Sequence, residues 1–191
     1  MMIDPSILIS FLPWIVFAIS SSLLGLKIGA IIGLALQIAF FIPMARKRTY
    51  TILEAFSLVF FVILVVGFLV LGEQDIENLT RWSATLSYGG LAIITWATIA
   101  IGDPFTRQYA RRTTPKEWWT SELFLSSTML IALGWAVAFL GATVVSIIGA
   151  LAGFKFLFIQ CLAIGCMLLA IIWHKRVLDE TMAKAKVLSR S

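Results

Sequence analysis

The chain has 191 residues, of which 60% are hydrophobic and only 13% are charged, and its mean hydropathy is +0.98. This composition leaves too few polar residues for a water-soluble domain and is typical of an integral membrane protein. The net charge of +5 does not indicate nucleic-acid binding, because the basic residues lie in short segments beside apolar ones, where they orient a protein in its membrane.

Five apolar segments follow one another along the chain, and the last has twice the usual length. About 20 apolar residues cross a bilayer, so the last segment predicts two helices with a reversal between residues 146 and 155. The fold class is then all-α, a polytopic membrane helix bundle with six transmembrane helices. The predicted spans are residues 7–26, 28–44, 51–72, 83–102, 123–146 and 155–173.

Three glycines at four-residue spacing lie at the first turn and in the second span. They are Gly25, Gly29 and Gly33. Small residues at this spacing allow the backbones of two membrane helices to approach closely. We therefore expect helix packing here, and a flexible gate is the alternative.

The basic residues are concentrated in alternate joints between the spans. Lys27, Arg81 and Lys155 stand alone on one side, whereas the other 12 of the 15 follow spans 2, 4 and 6. Positively charged residues in short loops stay in the cytoplasm, which predicts that both termini are cytoplasmic. The tail at 175–191 has mixed charge and a weak helical pattern, so we expect it to extend the last helix into the cytoplasm.

The joint at residues 103–122 is the longest. Asp103-Pro104 has the form of a helix start, which predicts a short helix at the membrane surface. Two tryptophans follow where the next span begins, at the depth that indole rings prefer. We expect this cytoplasmic interfacial loop to contact lipid or a partner through its basic and aromatic residues, namely Arg107, Tyr109, Arg111, Arg112, Trp118 and Trp119.

Catalytic and metal-binding patterns are missing from the sequence. Its one histidine, His174, ends the last span, and Cys161 and Cys166 are badly spaced for a metal or haem site. No phosphate-binding glycine loop or nucleophile motif is present. We therefore expect no cofactor and no metal, and an enzyme is disfavoured.

The polar residues inside the spans have two interpretations. Glu54 lies near the start of the third span, where a carboxylate stabilises the helix N-terminus, and the other polar groups can join helices by hydrogen bonds. Alternatively, a transporter or channel for a small molecule would gather them in one cavity. The residues of that cavity would be Gln37, Glu54, Tyr88, Thr95, Thr98 and Gln160.

Three stretches carry a resemblance to a known family. They are Ala35-Leu36-Gln37-Ile38 before the basic residues 46–48, Arg81-Trp82 before Tyr88, and Gly134-Trp135-Ala136-Val137-Ala138-Phe139 with Phe154-Lys155-Phe156. In their order and spacing, over residues 26–173, the chain resembles the intracellular septation protein A family. The resemblance implies a non-enzymatic, multi-pass protein of the bacterial cytoplasmic (inner) membrane. It implies contacts with envelope-synthesis or division proteins, and self-association into a homo-oligomer stays open.

Overall fold

The apolar segments fold as long helices joined by short turns in the computed structural model, which describes residues 5–154 and 156–188. In a bilayer, backbone polar groups must bond within their own segment, which a helix achieves. The helices are α1 (Pro5–Leu24), α2 (Leu26–Arg46), α3 (Ile52–Val70), α4 (Glu73–Ala100), α5 (Phe105–Thr113), α6 (Glu122–Leu151) and α7 (Phe156–Leu188), with one 3₁₀ turn at Lys116–Trp118. The described residues include no strand, which confirms the all-α fold.

Five of the helices, α2, α3, α4, α6 and α7, are long and apolar enough to cross a membrane. This makes the chain a multi-pass membrane protein. Within α1, Ser10–Leu24 is an apolar helix of shorter length. The count of six crossings and the cytoplasmic termini stay predictions.

Helix boundaries differ from the predicted spans mainly in the polar parts of the chain. Helix α4 begins at Glu73 rather than at residue 83, because acidic residues such as Asp75 and Glu77 favour a helix N-terminus. Helix α7 continues without a break through the first part of the tail. Lys155 and residues 189–191 lie outside the described residues.

The helices pack as two groups that share an aromatic core. Helix α2 packs against α1 and α3, and α6 packs along α4 and α7. The ring of Phe11 on α1 stacks on Trp135 of α6, with 5.1 Å between the ring centroids. The aromatic residues therefore join the two halves of the bundle.

The glycines of α2 have different surroundings. A Cβ atom at Gly29 would overlap Ser21 Oγ of α1, and one at Gly33 would lie 2.7 Å from the Phe61 ring of α3. Both glycines thus lie where helices approach closely. Gly25 instead lies in the turn between α1 and α2, and an added Cβ there would have no neighbour within 4 Å. Its φ of +89° lies in the region that favours glycine, so the backbone conformation and not a contact disfavours a side chain at this position.

Candidate functional site

A buried carboxylate lies where α1, α2, α3 and α5 meet. Glu54 is in the first turn of α3, and its Oε2 accepts a hydrogen bond from the Thr51 backbone N–H at 2.6 Å. The Thr51 hydroxyl in turn accepts a hydrogen bond from the Glu54 backbone N–H, which completes a capping box. Glu54 therefore stabilises the N-terminus of α3, the simpler of the two roles that its position in the sequence predicts.

Side chains from three other helices also bind Glu54. Ser10 Oγ donates to Oε1 at 2.7 Å, and Arg112 Nη2 donates to Oε2 at 2.9 Å. Tyr109 donates its hydroxyl proton to Oε1 at 3.3 Å, and Gln37 Nε2 donates to the Glu54 carbonyl oxygen at 3.0 Å. We call this set the Glu54 cluster: Ser10, Gln37, Thr51, Glu54, Tyr109 and Arg112.

The Glu54 cluster compensates a charge that would be costly to bury alone. The Glu54 side chain is 4% exposed and that of Arg112 is 20% exposed, so both have lost most of their hydration. Four surrounding groups satisfy the carboxylate oxygens, which is the condition under which a buried ion pair is tolerated. Arg112 also donates to the Thr49 carbonyl and lies 4.7 Å from the centre of the Tyr109 ring. The pair therefore fixes α5 to the start of α3.

A second arginine, Arg107, is buried and fixes α5 to the end of α4 and to α6. Arg107 Nη1 donates to the Gly102 carbonyl oxygen at 2.5 Å, Nε donates to Thr128 Oγ1 at 3.2 Å, and Nη2 donates to the Leu125 carbonyl oxygen at 3.3 Å. Burial lowers the pKa of this guanidinium below its usual value, and the nearby Asp103 carboxylate opposes that shift. Arg107 thus supplies its charge to the Gly102 carbonyl group just after the end of α4, where a cation is favoured.

The structure corrects part of the predicted contact surface. Tyr109 is wholly buried and Arg107 is 8% exposed, so neither faces lipid headgroups or a partner. Arg112 forms an ion pair with Glu54 and so directs its guanidinium toward the interior of the bundle. The reason is that the interior of the bundle offers a carboxylate and free carbonyl oxygens to these side chains, and a buried charge must be paired.

The remaining loop residues are closer to the surface. Arg111 bonds to Asp103 at 3.1 Å and its guanidinium carbon lies 5.6 Å from the centre of the Trp119 ring. Trp119 is half-buried and donates its indole N–H to the Thr114 carbonyl oxygen at 2.9 Å. Trp118 is 60% exposed. The exposed part of the loop therefore includes Trp118, and Arg111 lies near the ring of the half-buried Trp119 next to it.

The residues proposed for a polar cavity lie in separate contacts. Gln37 reaches Glu54, whereas Tyr88 donates its hydroxyl proton to Gln160 Oε1 at 2.7 Å. The Thr98 hydroxyl donates to the Thr95 carbonyl oxygen and accepts a hydrogen bond from the Phe105 backbone N–H. Tyr88 and Thr98 are ten residues apart on α4, which corresponds to roughly 15 Å. These polar groups thus join helices at different depths and do not converge on one cavity.

The tyrosine of the Glu54 cluster makes a testable contribution. Tyr109→Phe leaves the ring in place but removes the hydroxyl that joins Thr51 and Glu54, so we expect a loss of about 1–2 kcal/mol in the free energy of unfolding. Reversible unfolding in detergent measures this loss. Tyr50→Phe is the matched control, because Tyr50 is half-exposed, and we expect no change there.

The same variant tests a pH dependence. Burial, and then the Glu54 charge, raise the pKa of Tyr109 above the ordinary tyrosine value of about 10. Above about pH 10 this tyrosine is ionised in the unfolded chain but still protonated in the folded chain. Tyr109 therefore stabilises the fold below that pH, and its contribution to the free energy of unfolding is lost as the pH rises. The decline in stability between about pH 9 and 11 should be smaller in Tyr109→Phe than in the wild type, and equal declines would refute the shift.

The described residues contain no group of three or more His, Cys, Asp or Glu side chains that could hold a metal ion. Comparison with protein-family models, with curated proteins and with solved structures gives no match to this chain. The resemblance to the septation family therefore stays a prediction.

Proposed function

We propose that this chain is a non-enzymatic protein of the bacterial cytoplasmic membrane that contacts envelope-synthesis or division proteins through the loop between α4 and α6. The observation that carries the proposal is Trp118, which is 60% exposed on a loop whose base is held by Arg107 and Arg112. The location and the class of partner rest on the basic residues of alternate joints and on the family resemblance.

The buried contacts make the loop a fixed surface. Arg112 binds the carboxylate of α3, and Arg107 binds carbonyl oxygens at the end of α4 and in α6. A surface that is already ordered loses little conformational entropy when a partner binds. Arg107 and Tyr109, which are buried, and Arg112, which is paired with Glu54, are positioning residues in this proposal.

The exposed part of the loop has the composition of a protein contact. Trp118 lies beside Lys116 and Glu117, which are both exposed, and Arg111 covers the neighbouring Trp119. Tryptophan and arginine are the residues that most often dominate the binding energy of an interface. We therefore assign the partner contact to Arg111, Trp118 and Trp119.

Site-specific photo-crosslinking in cells tests the assignment. A photoreactive residue in place of Lys116 should form an adduct with an envelope-synthesis or division protein. Trp118→Ala should reduce the yield at least about tenfold, because a central tryptophan contributes roughly 2 kcal/mol or more. Trp96→Ala is the matched control, since Trp96 is a 40% exposed tryptophan of α4, and it should leave the yield unchanged.

Three results would contradict the proposal. One is an adduct with lipid alone, which would make Trp118 a membrane anchor. Another is a yield that does not change in Trp118→Ala. The third is solute flux in liposomes that is lost in Glu54→Gln, which would favour a transporter.

A further inference from the structure

The end of the bundle opposite α5 contains a cavity of about 530 Å³. It is open to the surface and lies between the first turns of α4 and the residues that follow α6, and Gln74, Asn78 and Phe154 are among the residues that line it. Pockets of roughly 300–1,000 Å³ are typical of sites for small ligands. The cavity is remote from the loop of the proposed function and does not depend on it.

Two opposite charges border the cavity without neutralising each other. Glu77 and Arg81 are four residues apart on α4, in the order that usually gives a helical ion pair. Arg81 instead donates its Nε–H to the Ala150 carbonyl oxygen at 2.8 Å, and Glu77 forms no ion pair within the part of the chain that the structure describes. By contrast, Arg176 and Glu180 have the same separation on α7 and do pair, at 3.1 Å.

Arg81 is placed so that its guanidinium can bind an anion. Its contact with Ala150 fixes the guanidinium at the last turns of α6, where the carbonyl groups favour a cation. The rest of the guanidinium has donors for a second acceptor, and an arginine fork matches the geometry of a phosphate or a carboxylate. Glu77, one helical turn away, would bind an ammonium group.

We propose that this cavity binds a phosphate–ammonium zwitterion, with the phosphate at Arg81 and the ammonium group at Glu77, and that its source is the headgroup of an aminophospholipid. The apolar surroundings favour a lipid over a soluble zwitterion, because Phe154 is 50% exposed in the cavity wall and Leu151 is 65% exposed at the end of α6. These apolar side chains can pack against the acyl chains of the lipid. A purely anionic headgroup would leave its charge beside Glu77 and bind less well.

Native mass spectrometry of the full chain in detergent tests the site with an equimolar mixture of phosphatidylethanolamine and phosphatidylglycerol. The wild type should retain phosphatidylethanolamine about tenfold better. Glu77→Gln should abolish that preference, and Glu77→Lys should reverse it in favour of phosphatidylglycerol. Arg81→Gln should lose both lipids. Arg176→Gln and Glu180→Gln, at the far end of α7, are the matched controls and should bind as the wild type does.

The following results would overturn the proposal or a part of it. Equal retention of both lipids by the wild type, or an unchanged preference in Glu77→Lys, overturns the site. The Glu77 variants keep the test valid if Arg81→Gln fails to fold, because Glu77 has no ion pair with another described side chain. Free phosphoethanolamine that displaces the lipid at equal concentration overturns the lipid as the source.

Discussion

Glu54→Ala is expected to lower the free energy of unfolding by about 3 kcal/mol. The variant leaves the Arg112 guanidinium four-fifths buried with no carboxylate, and it also removes the acceptor for Ser10 and Tyr109. Breaking a buried ion pair from one side is costly because the remaining charge is left without a partner. Reversible unfolding in detergent, followed by circular dichroism, measures the change.

The surface pair on α7 is the control for this prediction. Glu180→Ala removes the partner of Arg176, but both side chains are mostly exposed, so the loss should stay below about 0.5 kcal/mol. The double variant Glu54→Ala with Arg112→Ala should lose less than the sum of the two single variants, because no unpaired charge is left. Additive losses would show that the two side chains do not form a buried pair.

The same substitution bears on the proposed function. If Glu54 holds the loop through Arg112, then Glu54→Ala should also reduce photo-crosslinking from residue 116, although the Glu54 side chain is only 4% exposed. A stable Glu54→Gln variant that crosslinks normally would limit Glu54 to a role in stability. The two measurements thus separate the fold from the contact surface.

Gly29→Ala has the second largest expected effect, a loss of about 2 kcal/mol in the free energy of unfolding. The added Cβ would lie 2.7 Å from the Ser21 backbone nitrogen and 2.8 Å from its Cα. A backbone cannot move aside as a side chain can, so α1 and α2 would have to separate. The cost of this overlap should exceed the gain of about 1 kcal/mol in helix stability that the change from glycine to alanine brings, so the variant is less stable overall.

Gly165→Ala is the control that separates the effect of helix propensity from that of the contact between α1 and α2. Gly165 lies within α7 with nothing within 4 Å of an added Cβ, so only the helix propensity should act and the variant should be slightly more stable. The difference between the two alanine variants then reports the approach of α1 to α2 at residue 29. If both variants have the same stability, the two helices do not meet there.

Local patterns predicted that Glu54 stabilises the start of α3 and that a short helix follows Asp103-Pro104, but not that these parts meet in one cluster. Thr51 and Glu54 have the spacing of a capping box, and Asp103-Pro104 marks the start of the loop helix. Phe105, Tyr109 and Arg112 follow at intervals of four and three residues, so one face of α5 carries all three. The sequence does not say whether such a face meets lipid or protein.

The sequence by itself determined that the chain forms apolar helices, because about 20 residues without charge satisfy their backbone groups in a bilayer only as a helix. Only the tertiary structure decided which charges are buried together. Arg112 lies 58 residues after Glu54, and Ser10 lies 44 residues before it. Helical periodicity reaches only a few turns, whereas these contacts depend on how four helices pack, and packing turned a predicted surface arginine toward a carboxylate in the interior.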